Sequence, residues 1–142
     1  MAVVFLLGLI GGFLVNVFFP FPIWPGIAVR VIGFLPLLLG VILFAWARAT
    51  FRHHKTALMP WTHTTALVTD GPYSFSRNPI YLSFALIYLS LSFIFDSVYV
   101  LVMLVVAVAL FDRLQIPREE RYLRGLFGAQ FDSYAAKVRR WL

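Results

Sequence analysis

Residues 69–81 read Thr-Asp-Gly-Pro-Tyr-Ser-Phe-Ser-Arg-Asn-Pro-Ile-Tyr, a polar segment that comes directly before two long apolar runs. Gly71-Pro72 predicts a turn, because glycine can adopt a positive φ and proline fixes φ near about −65°. Asn78-Pro79 predicts a helix start, with asparagine as the N-cap and proline at the first helical position. The segment therefore predicts a polar cap on the end of a membrane helix. Crossing a bilayer does not require such a cap, so we interpret it as a ligand site.

The composition of the whole chain is typical of an integral membrane protein. Of 142 residues, 61% are hydrophobic and 13% are charged, against roughly 25% charged in soluble domains. A helix needs about 20 apolar residues to cross the hydrocarbon core. Four runs approach that length, and they predict an all-α fold of four transmembrane helices in one domain, residues 1–142. The runs are residues 2–19, 27–51, 79–95 and 98–116.

The third and fourth runs are joined by Asp96-Ser97 alone, which predicts a tight antiparallel hairpin. Such a hairpin brings the residues before Pro79 and those after Ile116 to the same membrane face. Glu119-Glu120 follows closely after Ile116, and these two acids suit the positive end of a helix dipole. We therefore expect the segment 69–81 and the Glu119-Glu120 pair to be neighbours in space.

The tail, residues 118–142, predicts an amphipathic helix. Its apolar and aromatic residues recur at intervals of three and four, which places them on one face. We expect this helix to lie on the membrane surface or to fold under the bundle as a lid, with a break near Gly125 and Gly128. The residues of the apolar face are Leu123, Leu126, Phe127, Phe131, Tyr134, Val138 and Trp141.

The net charge of +6 is concentrated in the loop between the second and third runs and in the tail. Basic segments stay on the cytoplasmic side, so both termini are expected to be cytoplasmic. The first run lacks a basic n-region and a cleavage site, so we interpret it as a retained helix. We expect contact with membrane lipids and no nucleic acid, since no aromatic–basic platform is present. The chain has no cysteine, which excludes disulfides and thiolate metal sites.

Two further groups of residues have structural interpretations. Gly33, Pro36 and Gly40 in the second run are expected to allow close helix packing in lipid. His53-His54 and His63 are interpreted as solvated loop residues, with a catalytic base as the alternative. Their spacing lacks a regular ligand pattern, so no metal site is expected.

Taken together, these motifs resemble a known family: the integral-membrane methyltransferases that include the isoprenylcysteine carboxyl methyltransferases and the phospholipid methyltransferases. The resemblance covers residues 64–142, and it depends on the combination of motifs rather than on any one of them. The matching residues are Leu67-Val68-Thr69, Gly71-Pro72-Tyr73, Arg77-Asn78-Pro79-Ile80-Tyr81, Glu119-Glu120, Phe127-Gly128, Tyr134 and Val138-Arg139-Arg140-Trp141.

The resemblance implies S-adenosylmethionine as the cofactor and a lipophilic acceptor that enters from the bilayer. It also implies a multi-pass protein, by analogy in the bacterial inner membrane. Cofactor contacts are implied, position by position, for Thr65, Ala66, Leu67, Val68, Tyr73, Asn78, Pro79, Ile80, Tyr81, Glu119 and Glu120.

The chain departs from the family pattern at two positions. Many members have histidine at the position of Asn78, and either side chain can hydrogen-bond the cofactor. The prenylcysteine enzymes have an arginine at the position of Gln115, which holds the substrate carboxylate, and a neutral amide cannot replace its charge. The candidate catalytic side chains are accordingly Arg77, Arg113 and Gln115, with Arg113 or Arg118 as cations that reach in from nearby.

Three functions are compatible with these features. The first is methyl transfer to an isoprenylcysteine-like carboxylate, a lipid amine or another small lipid. The second is a non-catalytic membrane scaffold that keeps the methyltransferase fold. A transporter is the weakest, because the spans carry little polarity apart from Asn16 and a few hydroxyls. The sequence specifies neither the acceptor nor the oligomeric state.

Overall fold

The computed structural model describes residues 2–23, 26–55 and 65–142, and in these ranges the chain is helical with no β-strand. The all-α prediction is confirmed. The helices are α1 (Ala2–Phe18), α2 (Ile27–His53), α3 (Pro79–Ile94), α4 (Val98–Leu110), α5 (Ile116–Phe127) and α6 (Ala129–Lys137), and a 3-10 turn covers Gly71–Ser74.

The first four helices form an antiparallel bundle in which α2 packs on α3, α1 packs on α4, and α3 packs on α4. The ring of Phe5 stacks on Phe111, with the centroids 4.7 Å apart, so the first turns of α1 lie at the same end of the bundle as the residues after α4. Phe13 contacts Phe95 at the other end. The start of α3 and the end of α4 are therefore at the Phe5 end, which we call the site end.

Helices α2 and α3 approach closely at the two predicted glycines. A Cβ on Gly33 would lie 2.9 Å from Cβ of Phe93, and one on Gly40 would lie 2.9 Å from the carbonyl oxygen of Ser83. Both glycines are buried, whereas most of the remaining apolar side chains of α2 are exposed. The packing role predicted for Gly33 and Gly40 is confirmed, and the exposed apolar face of α2 fits a lipid environment.

Helices α4 and α5 form one continuous helix, Val98–Phe127, through a π-helical turn at Phe111–Gln115. The bounds predicted for the fourth span and for the tail helix stay predictions. Pro117 lies directly after the π-helical turn and does not end the helix. The helix ends at Gly128, which has φ 50°, whereas Gly125 lies inside α5 and does not interrupt it.

Two of the helices, Ile27–His53 and Val98–Phe127, are long and apolar enough to cross a membrane. The helices Phe5–Phe18 and Pro79–Ile94 are apolar but shorter. The expectation of four spans therefore stays a prediction. The charged run Arg118-Glu119-Glu120-Arg121 belongs to the long helix but follows its apolar part.

Candidate functional site

The two polar motifs meet at the site end of the bundle. The hydroxyl of Tyr81, on the first turn of α3, donates a hydrogen bond of 2.7 Å to Oε1 of Glu119 on α5. Nε2 of Gln115, one turn earlier on the long helix, donates to the same oxygen at 2.9 Å. The prediction that the segment 69–81 and the acidic pair are neighbours is confirmed. Both donors use Oε1, and no hydrogen bond to Oε2 is found among the described residues.

Glu119 is a carboxyl in a largely desolvated environment. Burial raises its pKa, and the hydrogen bonds from Gln115 and Tyr81 offset part of that shift. A raised pKa on a partly buried carboxyl is typical of functional sites, although structural networks can produce it too. Tyr73 lies close enough to be affected: burial raises the pKa of its hydroxyl, and the charges of Tyr134 and Glu119 raise it further. Tyr73 therefore keeps its proton.

The turn Gly71–Ser74 sets the position of Tyr73. Gly71 has φ 56°, which favours glycine, and a Cβ there would lie 2.7 Å from Oγ1 of Thr50 on α2. The predicted turn is confirmed, and its glycine also permits close approach to α2. Tyr73 is buried against Ala47 and Val68, with its ring edge-on to Phe51. The turn is therefore a fixed part of the bundle end.

Glu120 faces a different set of partners from its neighbour Glu119. Nη1 of Arg77 lies 3.0 Å from its Oε1, and Arg140 binds it through Nε and Nη2 at 3.2 and 2.8 Å. Arg140 also contacts Oδ1 of Asp112 at 3.3 Å, and Nε1 of Trp141 donates to that same oxygen at 2.9 Å. The hydrogen bond with Glu120 is the main cause that raises the pKa of Arg140, which therefore stays charged.

Residues 138–141, which follow α6 and are called the strap, run alongside the start of α3. The amide of Arg77 donates to the carbonyl of Arg139 at 2.9 Å. Nδ2 of Asn78 donates to the carbonyl of Arg140 at 3.1 Å. Asn78 is the N-cap residue of α3, as predicted, but its side chain makes no capping hydrogen bond and binds the strap instead. The hydroxyl of Ser76 accepts from the Asn78 amide, at 3.2 Å.

The other predicted site residues are placed unevenly. Val68 and Pro79 are buried beside the site, and Ile80 packs against the cluster of Ala47, Val68 and Tyr73. Arg113 has a side chain that is 85% exposed, so the structure does not bring it to Glu119. Of the segment before the turn, Ala66 and Leu67 are half-buried and Thr65 is exposed.

An open hollow of about 770 Å³ lies between this segment and α6. Its lining is mixed in polarity and is formed by Leu67, Thr69, Ser74, Ala129, Gln130, Ser133, Tyr134, Lys137 and Val138. The hydroxyl of Tyr134 donates to the carbonyl of Tyr73 at 2.7 Å, which ties α6 to the turn. The predicted lid position of the tail is therefore matched by α6, which covers this side of the site end.

The histidines form no metal centre in the described ranges, where no group of three potential ligands is found. Nε2 of His54 lies 2.8 Å from Oδ1 of Asp70, an exposed pair that connects the end of α2 to the turn. His53 contacts His54 edge-on. His63 lies outside the described residues, so its predicted role is left as a prediction.

Comparison with known families is informative at this point. Residues 29–130 match the model of the phospholipid methyltransferase family, which is most of the chain. The chain belongs to that family. The match begins in α2 and ends in α6, so it includes Tyr81, Gln115, Glu119 and Glu120. The suspected resemblance is confirmed for phospholipid methyltransferases, which makes this a chain of a membrane methyltransferase family.

A curated relative of this phospholipid methyltransferase-family chain comes from Haemophilus influenzae. The two are 35% identical over 63 residues, which is 44% of this chain and the full length of the relative. That protein is described only as uncharacterized, so it assigns no substrate.

Sequence reasoning missed the part played by Asp112. The sequence places Asp112 inside the fourth apolar run, yet it binds both Arg140 and Trp141 from the π-helical turn. A signal was present, since Asp112 is one of only six acids in the chain and follows an uninterrupted apolar stretch. A carboxylate at the edge of the hydrocarbon needs a partner, and the strap supplies it.

Proposed function

We propose that this protein transfers a methyl group from S-adenosylmethionine to a lipophilic acceptor at the cytoplasmic face of a membrane. The observation that carries the proposal is the hydrogen bond of Tyr81 and Gln115 to one oxygen of Glu119, in a chain of the phospholipid methyltransferase family. In this arrangement a desolvated carboxylate is aimed and held by two neutral donors. It presents its second oxygen at the end of an apolar bundle.

The residues fit such a cofactor in two respects. Glu119 can accept a hydrogen bond from a ribose hydroxyl, and its charge attracts a sulfonium in a site with little water. Arg77 supplies a complementary group: its Nε is buried and has no acceptor among the described residues, although its Nη1 binds Glu120. We propose that this donor binds an anionic group of the cofactor. Thr65, Ala66, Leu67, Val68, Asn78, Pro79 and Ile80 are proposed to complete the cofactor contacts.

The bound cofactor supplies a methyl group on a sulfonium, which an acceptor lone pair attacks in line while the carbon–sulfur electron pair goes to sulfur. The protein therefore needs no nucleophile of its own. Its residues hold the reactants in line and exclude water, and such positioning can contribute roughly 7–11 kcal/mol in favourable cases. Tyr73 and Tyr81 provide buried, protonated walls for this purpose.

Gln115 bears on the choice of acceptor. Its amide donates to Glu119 at 2.9 Å and carries no charge, so it cannot neutralise an acceptor carboxylate. Arg113 is exposed and cannot substitute for it. We therefore favour a lipid amine or another small lipid over an isoprenylcysteine-like carboxylate. An amine must lose a proton, for which no residue is assigned.

The first experiment measures S-adenosylmethionine binding to the purified protein in lipid nanodiscs by calorimetry. Glu119→Ala and Tyr81→Ala are both expected to weaken binding by on the order of tenfold or more, since hydrogen bonds to charged groups contribute about 1.5–3 kcal/mol. Asp132→Ala is the matched control, because Asp132 pairs with Arg124 on the exposed surface. Absence of binding by well-folded wild type would overturn the proposal.

A non-catalytic scaffold is the alternative, and the neutral Gln115 is the observation that favours it. Incubation with labelled cofactor and a total lipid extract separates the two functions. Methylated lipid supports the enzyme, whereas cofactor binding without any methylated lipid, amine, thiol or carboxylate supports the scaffold.

A further inference from the structure

A chain of four alternating charges connects the strap to both halves of the site end. Arg77 binds Glu120, Glu120 binds Arg140, and Arg140 binds Asp112. The indole of Trp141 adds a donor to Asp112. Since two positive and two negative groups alternate, the network is neutral as a unit. It spans the loop before α3, the π-helical turn and α5.

The half of the network formed by Arg77 and Glu120 is sheltered from water. The side chains of Arg77 and Glu120 are only 16% and 15% exposed, and those of Arg140 and Asp112 are about one-third exposed. Breaking one partner of a sheltered pair is costly, because the remaining charge loses its compensation. The contact of Arg140 with Glu120 is also bidentate, which fixes direction as well as distance. Arg140 therefore has the geometry of a rigid connection.

Glu120 is the neighbour of Glu119 on α5, and Asn78 comes three residues before Tyr81 on α3. The guanidinium of Arg140 binds Glu120, and the carbonyl of Arg140 accepts a hydrogen bond from Asn78. One residue of the strap thus contacts both of the segments whose relative position sets the hydrogen bond between Tyr81 and Glu119.

From this geometry we propose that Arg140 is a positioning residue. By clamping Glu120 and Asn78 together, it keeps Tyr81 and Glu119 within hydrogen-bond distance and so keeps the cofactor site formed. Glu120, which was predicted to contact the cofactor, acts in this proposal as the anchor of the clamp. The inference rests on the proposed function and goes beyond it, because it assigns control of the site to a residue that does not touch the ligand.

The tail contains a natural control for this proposal. Arg124 binds Asp132 at 2.7 Å, a distance as short as any in the network, but both side chains are more than half exposed. Exposed pairs contribute little. Arg124→Gln and Arg140→Gln therefore remove the same charge from the same tail, and only the second breaks the clamp.

The experiment compares S-adenosylmethionine affinity in nanodiscs for wild type, Arg140→Gln, Arg140→Lys and Arg124→Gln. We expect a loss on the order of tenfold for Arg140→Gln, from the loss of hydrogen bonds between charged groups. Arg140→Lys keeps the charge but not the bidentate geometry, so it should recover only part of that loss. Arg124→Gln should bind like wild type.

A second measurement reports on the strap without the cofactor. Since the chain has no cysteine, Leu142→Cys gives one unique position for a spin label, next to Trp141 and exposed. The label should be immobilised in the wild-type background and freed by Arg140→Gln, but not by Arg124→Gln. Should Arg140→Gln fail to fold, Trp141→Phe takes its place. It removes only the indole donor to Asp112, so a smaller increase in mobility is expected.

The outcomes separate this inference from the proposed function. Wild-type binding that is unchanged in Arg140→Gln, or a label equally immobile in that variant, overturns the positioning role and leaves the methyltransferase proposal intact. Absence of cofactor binding by folded wild type overturns the proposed function, and this inference with it. Weaker binding together with a freed label supports both.

Discussion

Neighbouring helices must be connected at both ends of the bundle, and the two ends do this with very different polar side chains. At the end opposite the site, Asp96 accepts a hydrogen bond of 2.8 Å from the amide of Ile23, and the amide of Val98 donates to the carbonyl of Phe21. Ser97 caps α4 by accepting from the Val100 amide. In the described residues, these contacts join the segment after α1 to the turn between α3 and α4.

The site end joins its helices with partly buried glutamates, arginines and tyrosines. Glu119 and Glu120 both lie in partly buried positions beside Tyr81 and Arg77. At the far end one buried carboxylate, that of Asp96, accepts from a backbone amide, whereas the site end groups two glutamates with two arginines. We attribute this grouping of charges to the proposed ligand site, and experiments that affect one end but not the other test this difference.

Among variants that affect only one end, Glu119→Gln is expected to have the largest effect, and that effect is on cofactor affinity. The amide keeps the shape of the side chain and can still accept from Tyr81 and Gln115, so cofactor affinity should fall by about tenfold or more without loss of fold. Stability should respond to pH with a definite sign. The folded pKa of Glu119 is raised, so the stabilisation from its neutral form is present at low pH and is lost as pH rises from about 4 through the folded value.

Glu119→Gln removes that loss, so the variant should gain stability relative to wild type as pH rises. Unfolding midpoints in detergent over a series of pH values provide the measurement. A variant that is less stable than wild type at every pH would show that Glu119 is there for the fold, which would remove the contrast between the two ends.

The short connection between α3 and α4 made one part of the site predictable from the sequence. Asp96-Ser97 leaves no room for anything but a tight connection, so the meeting of Tyr81 and Glu119 followed from the order of the apolar runs. The continuity of the helix through Gln115 did not follow, because Pro117 and the change to charged residues are usual signs of a helix boundary.

The pairing of charges at the site end also could not be predicted. Seven basic residues occur from Arg113 to Arg140 inclusive, and periodicity does not tell which of them meets Glu120. The partners Arg77 and Arg140 come from segments far apart in the chain, and they are selected by burial that only the folded structure shows. Likewise, Asn78 has the residue type of a cap, but the strap supplies a better acceptor.

Asp96→Ala at the far end is expected to lower stability and leave cofactor affinity unchanged, which is the reverse of Glu119→Gln. The amide of Ile23 would lose its acceptor, and an unsatisfied buried donor costs about 1–3 kcal/mol. Asp96 also has φ 48°, which alanine adopts less readily. The free energy of unfolding in detergent should therefore fall, while cofactor affinity of the folded fraction should stay at the wild-type value. Asp96→Asn keeps an oxygen acceptor and tolerates this φ, so it should lose much less stability.

Tyr134→Phe, at the site end, is expected to have the smallest effect on stability. This change removes one hydrogen bond of 2.7 Å to the carbonyl of Tyr73 and should cost about 0.5–1.5 kcal/mol of stability. Burial raises the pKa of Tyr134, so its hydroxyl remains a donor in alkaline solution. The stability difference from wild type should then be equal at pH 7 and in mild alkali. A difference that disappears in alkali would mean that Tyr134 ionises and that this side of the site end is open to water. The distinction between a sheltered site end and an ordinary loop cluster would then be lost on the side covered by α6.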